Sequence, residues 1–224
     1  MAALIERLRE IEGGMPPQDG AKWFARLYLE VTIDLAAALD TGHGLEDPDF
    51  LERLALIYGN DVLGAFAAAG SGHGRVPAAW APLFDARRDP RVAPLQFALA
   101  GLNAHTNNDV PIGLVKGCAS AGIEPRTQSA QFRDYAAMTS MLQGTEARVK
   151  PWLLTGAVAE LDGDFGNVDD AVAMWSLARA REAAWVRGEV LWALRGSGRL
   201  TGAYEEVLGR TVAFAGRGLL VPNP

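Results

Sequence analysis

The chain has little of what usually announces a function. One cysteine stands in 224 residues, Cys118, so no intrachain disulfide can form and a reducing, cytoplasmic setting is expected. Lysine and histidine number three each against 18 arginines, and acidic residues outnumber basic ones to leave a net charge of −6. No basic stripe is available to neutralise phosphates, which argues against nucleic acid as a partner. The arginine bias reads as GC-rich coding. There is no Gly-x-Ser-x-Gly elbow and no glycine-rich phosphate loop between a strand and a helix. No standard cofactor motif appears, and no cofactor is expected. No apolar run reaches the roughly 20 residues of a membrane span free of strongly polar groups. The charged N-terminus, Met1 to Glu10, lacks the apolar core of a signal peptide. Strand-like alternation, internal repeats and low-complexity segments are missing too.

What is present is helical periodicity, punctuated by glycine and proline. Leu4, Ile5, Leu8 and Ile11 mark a first helix, closed by Gly13-Gly14-Met15-Pro16-Pro17. Phe24, Leu27, Tyr28, Val31, Leu35 and Leu39 form a stripe from Ala21 to Leu39. Asp47-Pro48 opens the next helix, with Asp47 as cap, running to about Ala69. A short helix is expected near Pro77–Asp85 and a central one over Pro94–Ala121. Further helices are expected over Ser129–Glu160, broken near Gly144 or Pro151, over Val168–Leu194 and over Ala203–Ala215. Asp162 to Gly166 should turn. The reading is a single all-α, bundle-like domain over residues 1–224 with a kinked central helix, and with 217–224 as a tail.

The central helix carries the informative segment, Asn103-Ala-His105-Thr-Asn107-Asn108-Asp109-Val-Pro111, inside an apolar stretch. Burying such groups unpaired costs about 1–3 kcal/mol each. His105 and Asp109 are four apart and share a face, with Asn108 beside them, whereas Asn103 and Asn107 pair on a different face. A carboxylate next to an imidazole fixes its tautomer and stabilises the imidazolium, which suits an acid/base dyad. Pro111 should kink the helix here and free the carbonyl of Asn107. The plain alternative is a set of buried hydrogen bonds that tie helices together. His105 and Asp109 with a third carboxylate such as Asp134 could also hold one metal ion, while His43 and His73 lie between glycines in loops. Cys118 lies thirteen residues from His105, about 19 Å along a straight helix, and reads as a buried structural thiol.

Other polar residues interrupt apolar stripes: Tyr28 and Thr32 one turn apart, Arg133-Asp134-Tyr135, and Arg181 four before Trp185. An arginine stacked on that tryptophan and paired with an inward Asp134 would satisfy a charge inside a bundle. Arg187 reads as ordinary surface.

Together, Phe24 to Thr32, Leu102 to Asp109, Arg133-Asp134-Tyr135 and Ala180 to Trp185 resemble an uncharacterised family, a domain of unknown function common in actinobacteria and marked by an Ala-His-x-Asn-x-Asp helix. The resemblance spans about residues 20 to 195. It implies an all-α fold and an active role for His105, Asn107 and Asp109, and no known substrate. Thr139 stands where an Asn is expected.

The leading expectation is a cofactor-independent small-molecule enzyme of bacterial secondary metabolism. It would cyclise, eliminate or isomerise a largely apolar metabolite. His105 is the acid or base and Asp109 its orienting partner. Asn107 or Asn108 binds a carbonyl or developing oxyanion, and Tyr28, Asp134, Arg181 and Trp185 support them. A mononuclear metal-dependent hydrolase, and a binding protein whose cluster recognises a ligand or braces a homodimer, are the alternatives.

Overall fold

A computed structural model of the chain describes residues 1–71, 74–138, 145 and 177–222. Helix accounts for 77% of the described residues and no strand occurs among them, as the periodicity requires. In order they are α1 (Ala2–Gly14), α2 (Ala21–Thr41), α3 (Pro48–Ser71), α4 (Ala81–Ala86) and α5 (Pro94–Ala104). A π-helical turn, His105–Asp109, follows. Then come α6 (Val110–Ala121), α7 (130–138), α8 (Leu177–Leu194) and α9 (Gly198–Leu219). His73, Thr139, the break near Gly144 or Pro151, the turn from Asp162 to Gly166 and the helix start near Val168 lie outside the described residues.

The boundaries follow local chemistry. Gly42 closes α2 in the left-handed conformation at φ +57°, its N–H returning to Ala38 and Leu39. Asp47 caps α3 as expected, accepting from Phe50 N at 3.1 Å. Where a kink is expected, the helix forms the π-turn. The Val110 N–H reaches back to the His105 carbonyl, five residues away, so the ladder changes register just before Pro111. Pro111, which has no N–H to give, follows directly as the second residue of α6.

Two apolar clusters make up most of the core. One gathers Leu8, Phe24, Val62, Phe66, Trp80 and Leu83; the other gathers Phe50, Leu54, Tyr58, Leu114, Cys118, Tyr135 and Trp185. Helix α6 approaches its neighbours through glycines. A Cβ at Gly113 would lie 2.6 Å from Tyr58 Cε1, and one at Gly188 of α8 would lie 2.6 Å from Leu114 Cδ2. Helix α3 alone among the described residues is long and apolar enough to cross a membrane, at a mean hydropathy of 1.2. Phe50, Leu54, Val62 and Phe66 of α3 are core residues here. The segment expected as a tail is instead helical to Leu219, with Leu220 buried. Gln96 Nε2 donates to the carbonyls of Leu219 and Val221 at 2.9 and 2.7 Å.

Asp134 clasps two distant parts of the fold together. It is 2% exposed, and its carboxylate accepts the backbone N–H of Glu46 (2.9 and 3.1 Å) and of Asp47 (2.6 Å). It thereby pins α7 to the chain entering α3, 88 residues away. Arg133 reinforces the clasp with a two-pronged pair to Glu46 at 2.6 and 2.8 Å. Asp134→Ala should lower unfolding free energy by about 2–4 kcal/mol, since two N–H groups lose their acceptor. Urea denaturation measures this; a loss under about 0.5 kcal/mol would mean that the clasp is dispensable.

Candidate functional site

The π-turn lies between the two core clusters and presents different side chains to each side. On one side, His105 packs edge-on against Tyr28 of α2, with ring centroids 4.9 Å apart. It packs likewise against Tyr58 of α3 at 5.9 Å. These rings border a cavity of about 80 Å³, whose walls also include Thr32, Leu54, Leu102, Thr106, Tyr135 and Arg181.

Asp109 stands behind His105 rather than in the cavity wall. Its Oδ2 accepts from Trp80 Nε1 at 3.0 Å and its Oδ1 from Asn108 Nδ2 at 2.9 Å. The same Oδ2 is 3.8 Å from His105 Nδ1. The expected dyad is therefore assembled as a close, unbonded pair. His105 Nδ1 is buried without a hydrogen-bond partner among the described residues, and so is Tyr58 Oη. Two such groups bordering one cavity are unusual, because buried polar atoms are nearly always paired.

The tyrosines are held as neutral phenols. Burial, with Asp109 nearby as a second cause, pushes Tyr28 far above the ordinary phenol value. Burial raises Tyr58 and Tyr135 too, and it pushes the Cys118 thiol up to about 12. Two phenols and an imidazole in a mostly apolar cavity can donate to an oxygen and exchange a proton with carbon or oxygen.

Of the other expected residues, Arg181 borders the cavity, but its stacking partner is Tyr135. Its guanidinium lies 4.0 Å from that ring centroid, and its Nη2 donates to the Tyr135 carbonyl at 3.1 Å. Trp185 is fully buried against Phe132 and Tyr135 and donates to Glu189 at 3.3 Å, so it serves packing. Asn108 serves Asp109. Asn107 turns to the opposite side with Asn103, as their spacing indicates, and meets Arg187. Tyr58 is the residue that sequence reasoning missed. In Ile57-Tyr58-Gly59 it looks like an ordinary core aromatic, and only its unpartnered hydroxyl separates it from one.

Tyr58→Phe deletes a hydroxyl without a partner among the described residues and should leave thermal stability unchanged or slightly raised, whereas Trp80→Phe strips a donor from Asp109 and should lower it by about 1–3 kcal/mol. A clear loss in Tyr58→Phe, followed by calorimetry, would mean that the phenol has a partner. Alkaline pH should also destabilise the fold. The Cys118 and tyrosine protons leave the unfolded chain first, at their ordinary values of about 9 and 10, so stability is full below pH about 9 and falls as pH rises toward about 12. Urea midpoints at rising pH check this, and Cys118→Ala should flatten the first part of the decline.

No curated protein and no solved structure matches the chain. A family model does, over residues 1–222, nearly the whole length and more than the stretch of resemblance noted in the sequence. With this all-helical fold and the His105 cavity at its centre, the chain belongs to the family of unknown function DUF5995.

Proposed function

We propose that the protein is a small-molecule enzyme that moves a proton within a small, largely apolar metabolite, in a cyclisation, elimination or isomerisation. The observation that carries this reading is His105 Nδ1: buried, without a hydrogen-bond partner among the described residues, and 3.8 Å from a carboxylate that already accepts from Trp80 and Asn108. A histidine that only braced helices would have both nitrogens bonded. An imidazole whose Nδ1 sits beside an anion without being tied into the fold can take a second proton at its other nitrogen.

The chemistry follows from that arrangement. In the neutral tautomer with hydrogen on Nδ1, that N–H faces Asp109 and Nε2 carries the free electron pair. Nε2 takes a proton from substrate carbon or oxygen, and the imidazolium is stabilised by the Asp109 carboxylate, 3.8 Å from Nδ1. His105 then returns the proton at another atom, so no oxidant or reductant is needed. The neutral hydroxyls of Tyr28 and Tyr58 donate to the oxygen on which charge develops. The small volume suits a short apolar segment, being about half that of the engineered ~150 Å³ cavity that admits benzene.

Among the described residues, no group of three His, Cys, Asp or Glu surrounds His105 and Asp109, so the metal-hydrolase reading gains no support. A cytoplasmic setting is proposed with the enzyme, on the ground of the single buried thiol.

Deuterium exchange into a panel of small apolar ketones tests the reading whatever the natural substrate is. The wild type should accelerate α-proton exchange, and His105→Ala should lower the rate about 10²–10⁴-fold. Tyr58→Phe should lower it less, because Tyr28 still donates. A chelator should leave it unchanged. Wild-type exchange in His105→Ala would overturn the acid/base role. Loss on chelation, restored by zinc or manganese, would make His105 and Asp109 metal ligands. Asp109→Asn is a poor probe, because it would set an amide N–H against the Trp80 or Asn108 donor and weaken the fold as well.

A further inference from the structure

The π-turn has a second side. There, α8, α9 and the end of α5 enclose a groove of about 340 Å³ bordered by Arg187, Asn103, Asn107, Tyr204, Leu208 and Thr211. We propose that this groove is a binding site for a small organic carboxylate with an aromatic or branched apolar body, and that Arg187 anchors it.

Arg187 is held in place without being consumed. Its Nη1 donates to Asn107 Oδ1 at 2.8 Å, and the side chain is half-buried. A relay of amides fixes that contact. Asn103 Nδ2 donates to the Val212 carbonyl at 2.9 Å, which leaves Asn103 Oδ1 to accept from Asn107 Nδ2 at 3.1 Å. The carbonyl of Asn107 is thereby turned toward the guanidinium. Five N–H groups belong to a guanidinium, and this relay engages one of them.

A carboxylate is the partner that several arginines of this chain take. Arg91, Arg126, Arg133 and Arg210 each pair with an Asp or Glu at 2.5–2.8 Å. Among the described residues none does so with Arg187, which borders the groove. A pre-oriented, half-desolvated fork matches a planar carboxylate in two-pronged fashion. Around it, buried Leu208 and Val212 supply apolar wall and Tyr204 supplies an aromatic one. One cation among apolar walls suits a monoanion with an apolar body better than a phosphate dianion, which calls for several donors or charges.

The site is independent of the proton-transfer reading, since it shares the π-turn but none of the side chains that border the His105 cavity. Benzoate is the probe, with benzamide as its uncharged counterpart and inorganic phosphate as the competing anion. In amide-resolved NMR of the wild type, benzoate should shift the side-chain resonances of Asn103 and Asn107 saturably, while benzamide and phosphate should not. Arg187→Met should weaken benzoate about tenfold or more, as expected when a charge-assisted pair is lost. Arg187→Lys, which keeps the charge but not the fork, should fall between. Thr211→Glu is a second variant at an exposed helical position that leaves the groove's buried residues intact. It places a carboxylate beside Arg187 and should also abolish binding. His105→Ala should bind benzoate as the wild type does. No saturable shift in the wild type, wild-type affinity in both Arg187→Met and Thr211→Glu, or phosphate binding in preference to benzoate would each overturn the proposal.

Discussion

The buried carboxylate of Asp109 is the constraint around which this molecule is arranged. Taking a carboxylate out of water is expensive unless donors replace the lost solvent. Here the two oxygens are served from different places: Asn108 next door, and Trp80, 29 residues earlier. Trp80 is itself locked into an aromatic cluster, edge-on to Phe24 at 5.2 Å and to Phe66 at 6.3 Å. One core cluster is thus tied to the π-turn by a charge-assisted hydrogen bond as well as by Tyr28 against His105. The other reaches the same turn through Tyr58 against His105. His105 stands where the two clusters meet, beside an anion whose geometry it does not have to maintain.

The π-turn makes this arrangement possible. A turn widened by one residue just before Pro111 changes the register of the helix without losing its continuity, and such insertions often accompany functional positions. It gives five consecutive polar residues separate destinations. His105 and Thr106 face the cavity, Asn108 and Asp109 support them from behind, and Asn107 looks into the groove on the other side.

Much of this is legible in the amino-acid order. The segment Asn103–Asp109 stands out because its polarity conflicts with its surroundings, and a conflict of that kind must be resolved by a partner or a ligand. The separate faces of His105/Asp109 and Asn103/Asn107 follow from helical spacing. Asp134 and Trp185 draw attention for the same reason, yet their partners are structural: backbone N–H groups at the start of α3 for one, aromatic rings and Glu189 for the other. Interruption of an apolar stripe reveals that a polar group is buried, and is silent on whether the group is used up. Tyr58 is the converse case, since its ring belongs to the core and only its oxygen is idle.

The helices, their caps and breaks, and the place where polarity is concentrated are all set by the order of residues. Those properties rest on backbone sterics, periodicity and hydrogen bonds between near neighbours, all of which operate within a few residues. Which of the buried polar groups found partners was settled by the packing of the folded chain. Trp80 with Asp109, Asp134 with Glu46, and Arg187 with Asn107 are joined across 29, 88 and 80 residues. The one-dimensional pattern is the same whether such pairs close or not. What separates Asp134, fully satisfied, from His105 and Tyr58, left open beside a cavity, is proximity in three dimensions: where two helices come close enough to bond, a polar group serves the fold, and where they do not, it is left for something else to meet.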